Sequence, residues 1–550
     1  MRRQAQMETE RSILDSHCQE IAELVLPMMS TFFEDTNSNR GGKRTNKLME
    51  GSSPHALMRY ASAIEGFLTP RGEKWSKLTT SDTALNRVPA VKEYFEGVNK
   101  LLFDVRYDQQ SGFGSQIYEC LLSVGAFGTT GLFPEGRVIV SDNGSLVPSM
   151  SYRSIPLVQL FISENSAGFV DTVHRKFKHT ARNFVTDFKD ATPEVVQRAV
   201  DKEPDREFDL VHVVMPNPEY RRGALGPKGM KYASYYVFPE TGKTIRRGGY
   251  NTQRYAVARG TKGPGEIYGR SPAMLILPEI KTINQMRRDL LRASHMTLNP
   301  PTLLGSEIGA NFAMEPRALN YGMVSPDGRP LAIPFQMGNT FPATEREMER
   351  IRQLINEAFL LTLFQILVQR NPGETATLTL QKAKEQAIIL APLIGKLQTE
   401  FLGSTIESEI DILTEAGAMP EMPDELIEAQ GEYTIQYQSD IQRALEVSEI
   451  EAYHNWLADA GPMAEGKPEL LEVVDHEGIL MDAAEKRGIS SRFIRTPDQL
   501  DGLRQARAQQ QATAAAPALA EQAANIDNTM ADTKAKQGGR ARMRRVPVAA

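Results

Sequence analysis

The sequence predicts an α+β chain that is predominantly helical. Three observations carry that expectation. Apolar residues recur at helical spacing over most of the first 130 residues. From Val138 to Tyr255 short β-branched and aromatic runs alternate with turn signals. From Ser271 to Ala416 long helical patterns return, broken by a single Gly- and Pro-rich segment.

The elements follow in order. Ile13, Ala22, Leu24, Val25 and Leu26 predict a first helix that breaks at Pro27, and Leu57, Tyr60, Ala61, Ile64 and Leu68 a second that stops before Pro70. A third covers Val91 to Val105. The runs RVIV, EFDLVHVV and YASYYVF, set between Asp-Asn-Gly, Pro-Asn-Pro and Pro-Glu-Thr-Gly, read as an antiparallel strand-rich layer, with one helix near Pro193 to Lys202. After a Gly-rich connector, Arg259 to Gly269, Ser271 and Pro272 supply a helix start: Ser caps free amides and Pro fits the first helical position. Pro278 predicts a kink or restart, and Asn299, Pro300 and Pro301 the stop.

Residues 299–342 hold little helical periodicity and read as a small loop-and-strand module. A long helix is expected over Ala343 to Gln369, with Met348, Ile351, Ile355, Ala358 and Leu361 on one side. Another is expected from Ala376 to Ala416, kinked at Pro392 and closed by Gly417 and Pro420. A further helix, Asp440 to Ala460, follows a Ser439 cap. From Gln505 the chain is Ala- and Gln-rich, then basic, and reads as a mobile arm.

Composition limits the function classes. The 550 residues carry 63 Lys and Arg against 69 Asp and Glu, a net charge of −6, with 41% hydrophobic and 24% charged residues. Fibrous and wholly disordered classes are excluded. Cys18 and Cys120 are too few for a disulfide framework or a Cys-rich zinc site and suit a reducing cytosol, with a single bridge left open. The start, MRRQAQMETERS, has no following apolar stretch, and the longest apolar run, Ala358 to Val368, falls far short of the ~20 residues that span a bilayer. Neither a usual secretion signal nor a membrane span is expected. The charge is uneven. From Glu400 to Asp459, 15 acidic residues face one basic residue, Arg443, leaving the rest of the chain at +8. Solvated helix faces are the plain reading of such a stretch.

Chemistry-bearing motifs are absent or defective. Thr241, Gly242, Lys243 and Thr244 mimic the end of a phosphate loop, but Val237 stands where its first Gly belongs, and the segment joins two strand-like runs instead of opening a helix. It reads as a hairpin turn. Asp35, Asn37 and Asn39 begin a calcium-loop spacing that Arg40 and Asn46 spoil. His174 and His179 lack a zinc pattern, and no Gly-x-Ser-x-Gly elbow occurs. The two cysteines read as small buried hydrophobes. No catalytic residue, cofactor or metal is assigned.

Several strings, in order, carry a resemblance. They are SGFGSQIYECLLSVGAFGTTGLF (Ser111 to Phe133), IPLVQLFISENSAGFVDTVHRKFKHTARNF (Ile155 to Phe184), GEIYGRSPAMLILPEIKTINQM (Gly265 to Met286), TATLTLQKAKEQAIILAPLIGKLQTEFL (Thr375 to Leu402), DILTEAGAMP (Asp411 to Pro420) and RGISSRFIRTPDQLDGLRQAR (Arg487 to Arg507). Together they resemble the portal, or head-to-tail connecting, proteins of short-tailed bacteriophages. The basic terminal arm departs from the family.

The resemblance implies a layout: a wing-like mixed α/β body at 1–270, a first stem helix at 271–298, a clip at 299–342 and a second stem helix at 343–370. A channel loop at 371–376, a long kinked wing helix at 377–418, a helical crown at 419–504 and a tail at 505–550 complete it. It further implies a ring, usually of twelve subunits, at one capsid vertex, through which double-stranded DNA passes without bond chemistry in this chain. Implied partners are the terminase large subunit, tail adaptor and nozzle proteins, and major capsid and scaffolding proteins, with no membrane. A mainly acidic bore with few cations suits sliding DNA, because each phosphate neutralised adds affinity. By the same resemblance Arg370, Asn371 and Glu374 approach DNA at the narrowest point, and Lys281, Arg288 and Arg292 lie on the stem. The stem cations could instead pair with Glu345, Glu347 or Glu349 of a neighbour. The competing readings are another virion component, such as a tail adaptor or internal protein, and the packaging ATPase.

Overall fold

The computed structural model describes residues 1–29, 45–82, 84–140, 146–304, 317–335, 341–363, 388–429 and 431–438, with short pieces elsewhere. The chain divides into two units, Met1–Ala444 and Leu445–Ala550. In the second, the described residues include a helical piece at 502–507 and the stacked rings of Tyr453 and Trp456, 6.3 Å apart. All that follows concerns the first unit.

Its amino-terminal third is helical: α1 (Arg2–Leu24), α2 (Ser52–Leu68), α3 (Pro89–Arg106) and α4 (Phe113–Phe127). Pro27 and Pro70 stand beyond the ends of α1 and α2, as expected, because their rings cannot continue an α-helix. Helix α4 left no periodic signal: ten of its 15 residues are buried, so it has no broad polar face. Cys18 and Cys120 are free and fully buried, and burial pushes both thiols up to about 12. They pack as small hydrophobes and form no bridge.

The strand-rich layer begins at Thr129, earlier than Val138, and is two antiparallel sheets. One has the order β3-β2-β9, from β2 (Thr129–Val140), β3 (Leu146–Ile155) and β9 (Ala256–Arg259). The other runs β4-β5-β6-β7-β8, from β4 (Leu160–Glu164), β5 (Val170–Thr180), β6 (Glu207–Pro216), β7 (Tyr232–Phe238) and β8 (Lys243–Tyr250). Ile155, Leu160, Val173, Val214, Tyr255 and Val257 form the core between them. The helix expected near Pro193 is α6 (Glu194–Lys202). It and α5 (Ala181–Phe188), which short length hid from periodicity, pack Phe184, Phe188 and Val196 against Phe208 and Phe238.

The connector Arg259 to Gly269 is a tight backbone junction. Gly260 N donates to Gly128 O at 2.7 Å, and Gly269 N to Thr129 Oγ1 at 2.9 Å. A Cβ on Gly128, whose φ is +74°, would fall 2.3 Å from Gly269 O, so only glycine fits there. Ser271 sits next to this junction. Its Oγ accepts from Met274 N at 3.0 Å, capping α7 (Pro272–Leu275), and donates to Ala126 O at 2.7 Å. The chain then restarts as α8 (Leu277–Leu298), with Pro278 in its first turn.

Helix α9 (Phe341–Ala358) packs alongside α8 and buries Met348, Ile351 and Ile355, but it does not continue to Gln369. Residues 359–360 form a turn with Leu360 at φ +59°, and 361–363 are helical again. The reason is burial of both Phe359 and Leu361. Two residues apart on one helix they would face nearly opposite directions. Phe359 meets Tyr60 edge-on at 6.0 Å.

Helical residues 388–396 continue through Pro392 without interruption, and the irregularity falls instead at a π-helical turn, Leu397–Gly403. The amide that Pro392 lacks would have bonded to residue 388, where the described helix begins. Within the π-turn the carbonyl of Gln398 accepts from Tyr437 Oη at 2.6 Å. Tyr437 arrives on β12 (Thr434–Tyr437), which pairs with β1 (Ser76–Thr79). This strand lies in a stretch, 419–504, expected to be helical; of residues 419–438, the helical part among those described is α11 (Asp424–Glu428). Before it, α10 (Ser404–Glu415) closes with Gly417 at φ +67°, Gly417 N bonding Thr414 O and Ala418 N bonding Leu413 O. That is the glycine stop the sequence predicted.

Candidate functional site

Two regions answer to the site residues named from sequence. The first is the α8–α9 pair. Its inner stripe, Leu277, Ile280, Ile283 and Asn284, is buried, and Asn284 Oδ1 accepts from Met49 N at 2.6 Å while its amide donates to Lys47 O at 3.0 Å. Lys281 points elsewhere, 2.6 Å from Glu20 of α1. Arg288 reaches Gln285 at 3.5 Å and Arg292 reaches Asp289 at 3.9 Å, both along the same helix. On α9, Glu347 and Glu349 hold Arg350 and Arg352 at 3.7 and 3.1 Å. Within one chain, then, Lys281 pairs with α1, Arg288 and Arg292 reach only along α8, and among the described residues none of the three pairs with Glu345, Glu347 or Glu349 of α9. Arg370, Asn371 and Glu374 lie outside the described residues.

The far end of this pair is apolar and open. Leu298 is 74% exposed, and beyond it β10 (Thr302–Leu304) pairs with β11 (Ala332–Pro334) as a small hairpin. Between the two strands lies a tight turn at Ser325 to Gly328, where Gly328 takes φ +78°. Leu319 and Tyr321 are 78% and 88% exposed, and Val324, Ile333 and Phe335 are also open to solvent. Such clustering is the usual mark of an interaction surface.

The second region is the acidic stretch, where the solvated-face reading fails at several positions. Glu409 is fully buried against Arg106 at 2.6 Å. Glu400 meets Arg259 at 2.9 Å, and Asp411 meets Arg254 at 3.3 Å. Arg259 also pairs with Glu164, and Lys396 Nζ donates to Gly260 O at 2.6 Å. These carboxylates fasten the long helix to the body. Sequence counting could not find this, because the arginines lie 141 to 303 residues away. Beside them is a cleft of about 310 Å³, with Lys231, Tyr232, Gln253, Glu400 and Glu407 on its walls and no His or Cys. Burial raises the Glu407 carboxyl above its ordinary range, with Lys231 opposing.

Motifs weighed for chemistry fall elsewhere. Thr241 to Thr244 form the β7–β8 hairpin: Gly242 sits at φ +65°, its amide bonds Phe238 O at 2.9 Å, and no helix follows. His174 is buried with Nδ1 2.9 Å from Gln4, and burial depresses it to about 4. Sequence reasoning missed His212, whose Nδ1 lies 2.6 Å from Tyr255 Oη and whose Nε2 lies 2.9 Å from Ser234 Oγ. Its ring stacks on Tyr236 at 4.1 Å, and burial depresses it to about 3. With both nitrogens engaged and the side chain enclosed, it is a structural neutral imidazole. Among the described residues no three His, Cys, Asp or Glu side chains cluster to hold a metal, and no helix is long and apolar enough to cross a membrane.

The family model of the bacteriophage head to tail connecting protein matches residues 1–494. The chain belongs to that family. Among curated relatives, the probable portal protein of Bordetella phage BPP-1 is 26% identical over 543 residues, covering 98% of this chain and 94% of the relative. The portal protein of Salmonella phage epsilon15 is 24% identical over 543 residues, covering 96% and 94%. A solved structure, the neck of an empty GTA particle computed with C6 symmetry, aligns at a TM-score of 0.38 and 9% identity, covering 78% of this chain and 94% of that chain. A likeness that loose carries no argument.

Proposed function

We propose that this chain is a portal subunit, one copy in a ring at a single capsid vertex through which the genome is packaged and ejected and to which the tail is joined. The observation that carries the reading is family membership over residues 1–494. The apolar far end of the α8–α9 pair supports the ring, since a lone subunit would leave Leu298, Leu319 and Tyr321 in water. Ring closure needs a head-to-tail contact, in which this surface meets a different surface of the next copy. Twelve copies is the family's usual number.

In this reading residues 1–270 are the wing, 271–298 and 343–370 the stem, 299–342 the clip, 371–376 the channel loop and 377–418 the long wing helix. The crown takes 419–504 and the tail 505–550. Lys281, Arg288 and Arg292 lie on the stem, and Arg370, Asn371 and Glu374 on the loop nearest to double-stranded DNA. The clip docks the terminase large subunit and later the tail adaptor and nozzle proteins, while the wing meets capsid and scaffolding proteins. The work is mechanical and electrostatic, without catalysis by this chain.

Negative-stain microscopy of the purified protein tests the assembly: rings with an axial hole are expected, and a monomer at high concentration overturns the proposal. Reversing Arg370 to Glu tests the loop, with packaged genome length as the readout. Unchanged packaging and retention would remove Arg370 from the channel.

A further inference from the structure

The five-stranded sheet has two edges, and the chain treats them differently. At β4 the outer backbone groups are taken: Arg11 Nη1 donates to Leu160 O at 2.7 Å, and Ile162 N donates to Tyr268 Oη at 3.2 Å. At β8 the backbone of residues 244–250 bonds, among the described residues, only to β7. An open edge is a template for another strand.

Charge says which strand. Residues 219–247 contain seven basic and two acidic residues, a net of +5 in a chain whose total is −6. All seven cations are exposed. Glu219 holds Arg247 at 3.0 Å and Lys228 at 3.8 Å, which leaves Arg221, Arg222, Lys231, Lys243 and Arg246 without an ion-pair partner among the described residues. A bulge at Ile245, between Thr244 and Arg246, twists the edge. Cations and a bulge are also how proteins guard an edge against self-pairing. The two roles agree for a second copy, which brings like charge and is repelled. They part for an acidic strand, which the same cations attract.

We propose that the β8 edge docks an extended acidic segment of a partner protein, which joins the sheet as a sixth strand with its carboxylates beside Lys243 and Arg246. Backbone bonds supply the affinity and the cations select the sign. A DNA duplex would use the cations but not the open carbonyls. This inference stands apart from the portal reading.

The test uses the full chain, a labelled peptide alternating Glu and Val, its Lys counterpart and a short DNA duplex. The acidic peptide is expected to bind and to slow amide exchange over 244–250. R246E/R247E and K243E/R246E should each weaken it by about tenfold or more while exchange in β6 and β7 stays unchanged, confirming the fold. Three results overturn the proposal: no binding of the acidic peptide, which makes the edge a guard only; binding without protection of 244–250; or equal binding of the DNA duplex.

Discussion

Arg106 and Glu409, 303 residues apart, form a doubly bonded pair inside the core: Nη2 lies 2.6 Å from Oε2, and Nε 2.8 Å from the same oxygen. Tyr152 Oη donates to Glu409 Oε1 at 2.7 Å, Arg106 Nη1 donates to Ser76 Oγ at 3.0 Å, and the guanidinium stands 4.6 Å over Trp75. Burial works against the arginine's charge, but Glu409 overrides it and holds Arg106 above its ordinary value. The pair joins α3, β3, β1 and α10 at one point.

Removing one partner leaves the other charged and dry. Glu409→Ala is therefore expected to destabilise the protein by about 3–5 kcal/mol, whereas the double variant R106M/E409L should recover most of that loss. Denaturant unfolding of the three proteins measures both effects. A double variant as unstable as E409A would mean that the hydrogen bonds with Tyr152 and Ser76 matter more than the charge.

Acid should weaken the fold through two histidines. His174 and His212 are depressed by burial to about 4 and about 3, against about 6.5 in the unfolded chain. Between those values the unfolded state binds more protons, so stability falls as pH drops below about 6.5. At pH ~5 the loss is on the order of 2 kcal/mol for each histidine. Thermal midpoints from pH ~7.5 to ~5 should show it, and His174→Gln should flatten part of the slope. A slope unchanged by that variant would assign the acid loss elsewhere.

Glycine substitutions should separate the junction between α4 and α7 from ordinary helix. Gly128→Ala places a methyl 2.3 Å from Gly269 O at a positive φ, and the expected loss is on the order of 3 kcal/mol or more. Gly66→Ala, on α2 with nothing within 4 Å, should instead stabilise by about 0.5–1 kcal/mol. Soluble yield and unfolding midpoints compare them directly.

Much of the fold was legible because its signals are local. Pro27, Pro70, Pro278 and Gly417 fix helix ends through missing amides or a left-handed turn, and Ser271 caps as its side chain requires. Whatever depended on a distant partner was hidden. Tyr437 satisfies the carbonyl at the π-turn only after β12 has paired with β1, and Phe359 and Leu361 break α9 because both find the same core. The acidic stretch misled for the same reason: a carboxylate in sequence does not disclose an arginine folded onto it. The family's strings in order were legible where the candidate site's geometry was not, because a short string survives without any knowledge of its contacts.

The last prediction concerns the apolar surface beyond α8. Leu319 and Tyr321 are 78% and 88% exposed in the single chain, so replacing both by Asp removes little burial and should shift the unfolding midpoint of the subunit by no more than ordinary surface changes do, about 0.5 kcal/mol each. In a ring the same positions would be covered, and burying two unpaired carboxylates at every interface would oppose closure. L319D/Y321D is therefore expected to stay folded and monomeric under conditions in which the parent protein forms rings. Light scattering on a sizing column reads the mass, and the thermal midpoint certifies the fold. Rings of unchanged mass from the doubly substituted protein would place the subunit contact elsewhere and leave this apolar surface to another partner.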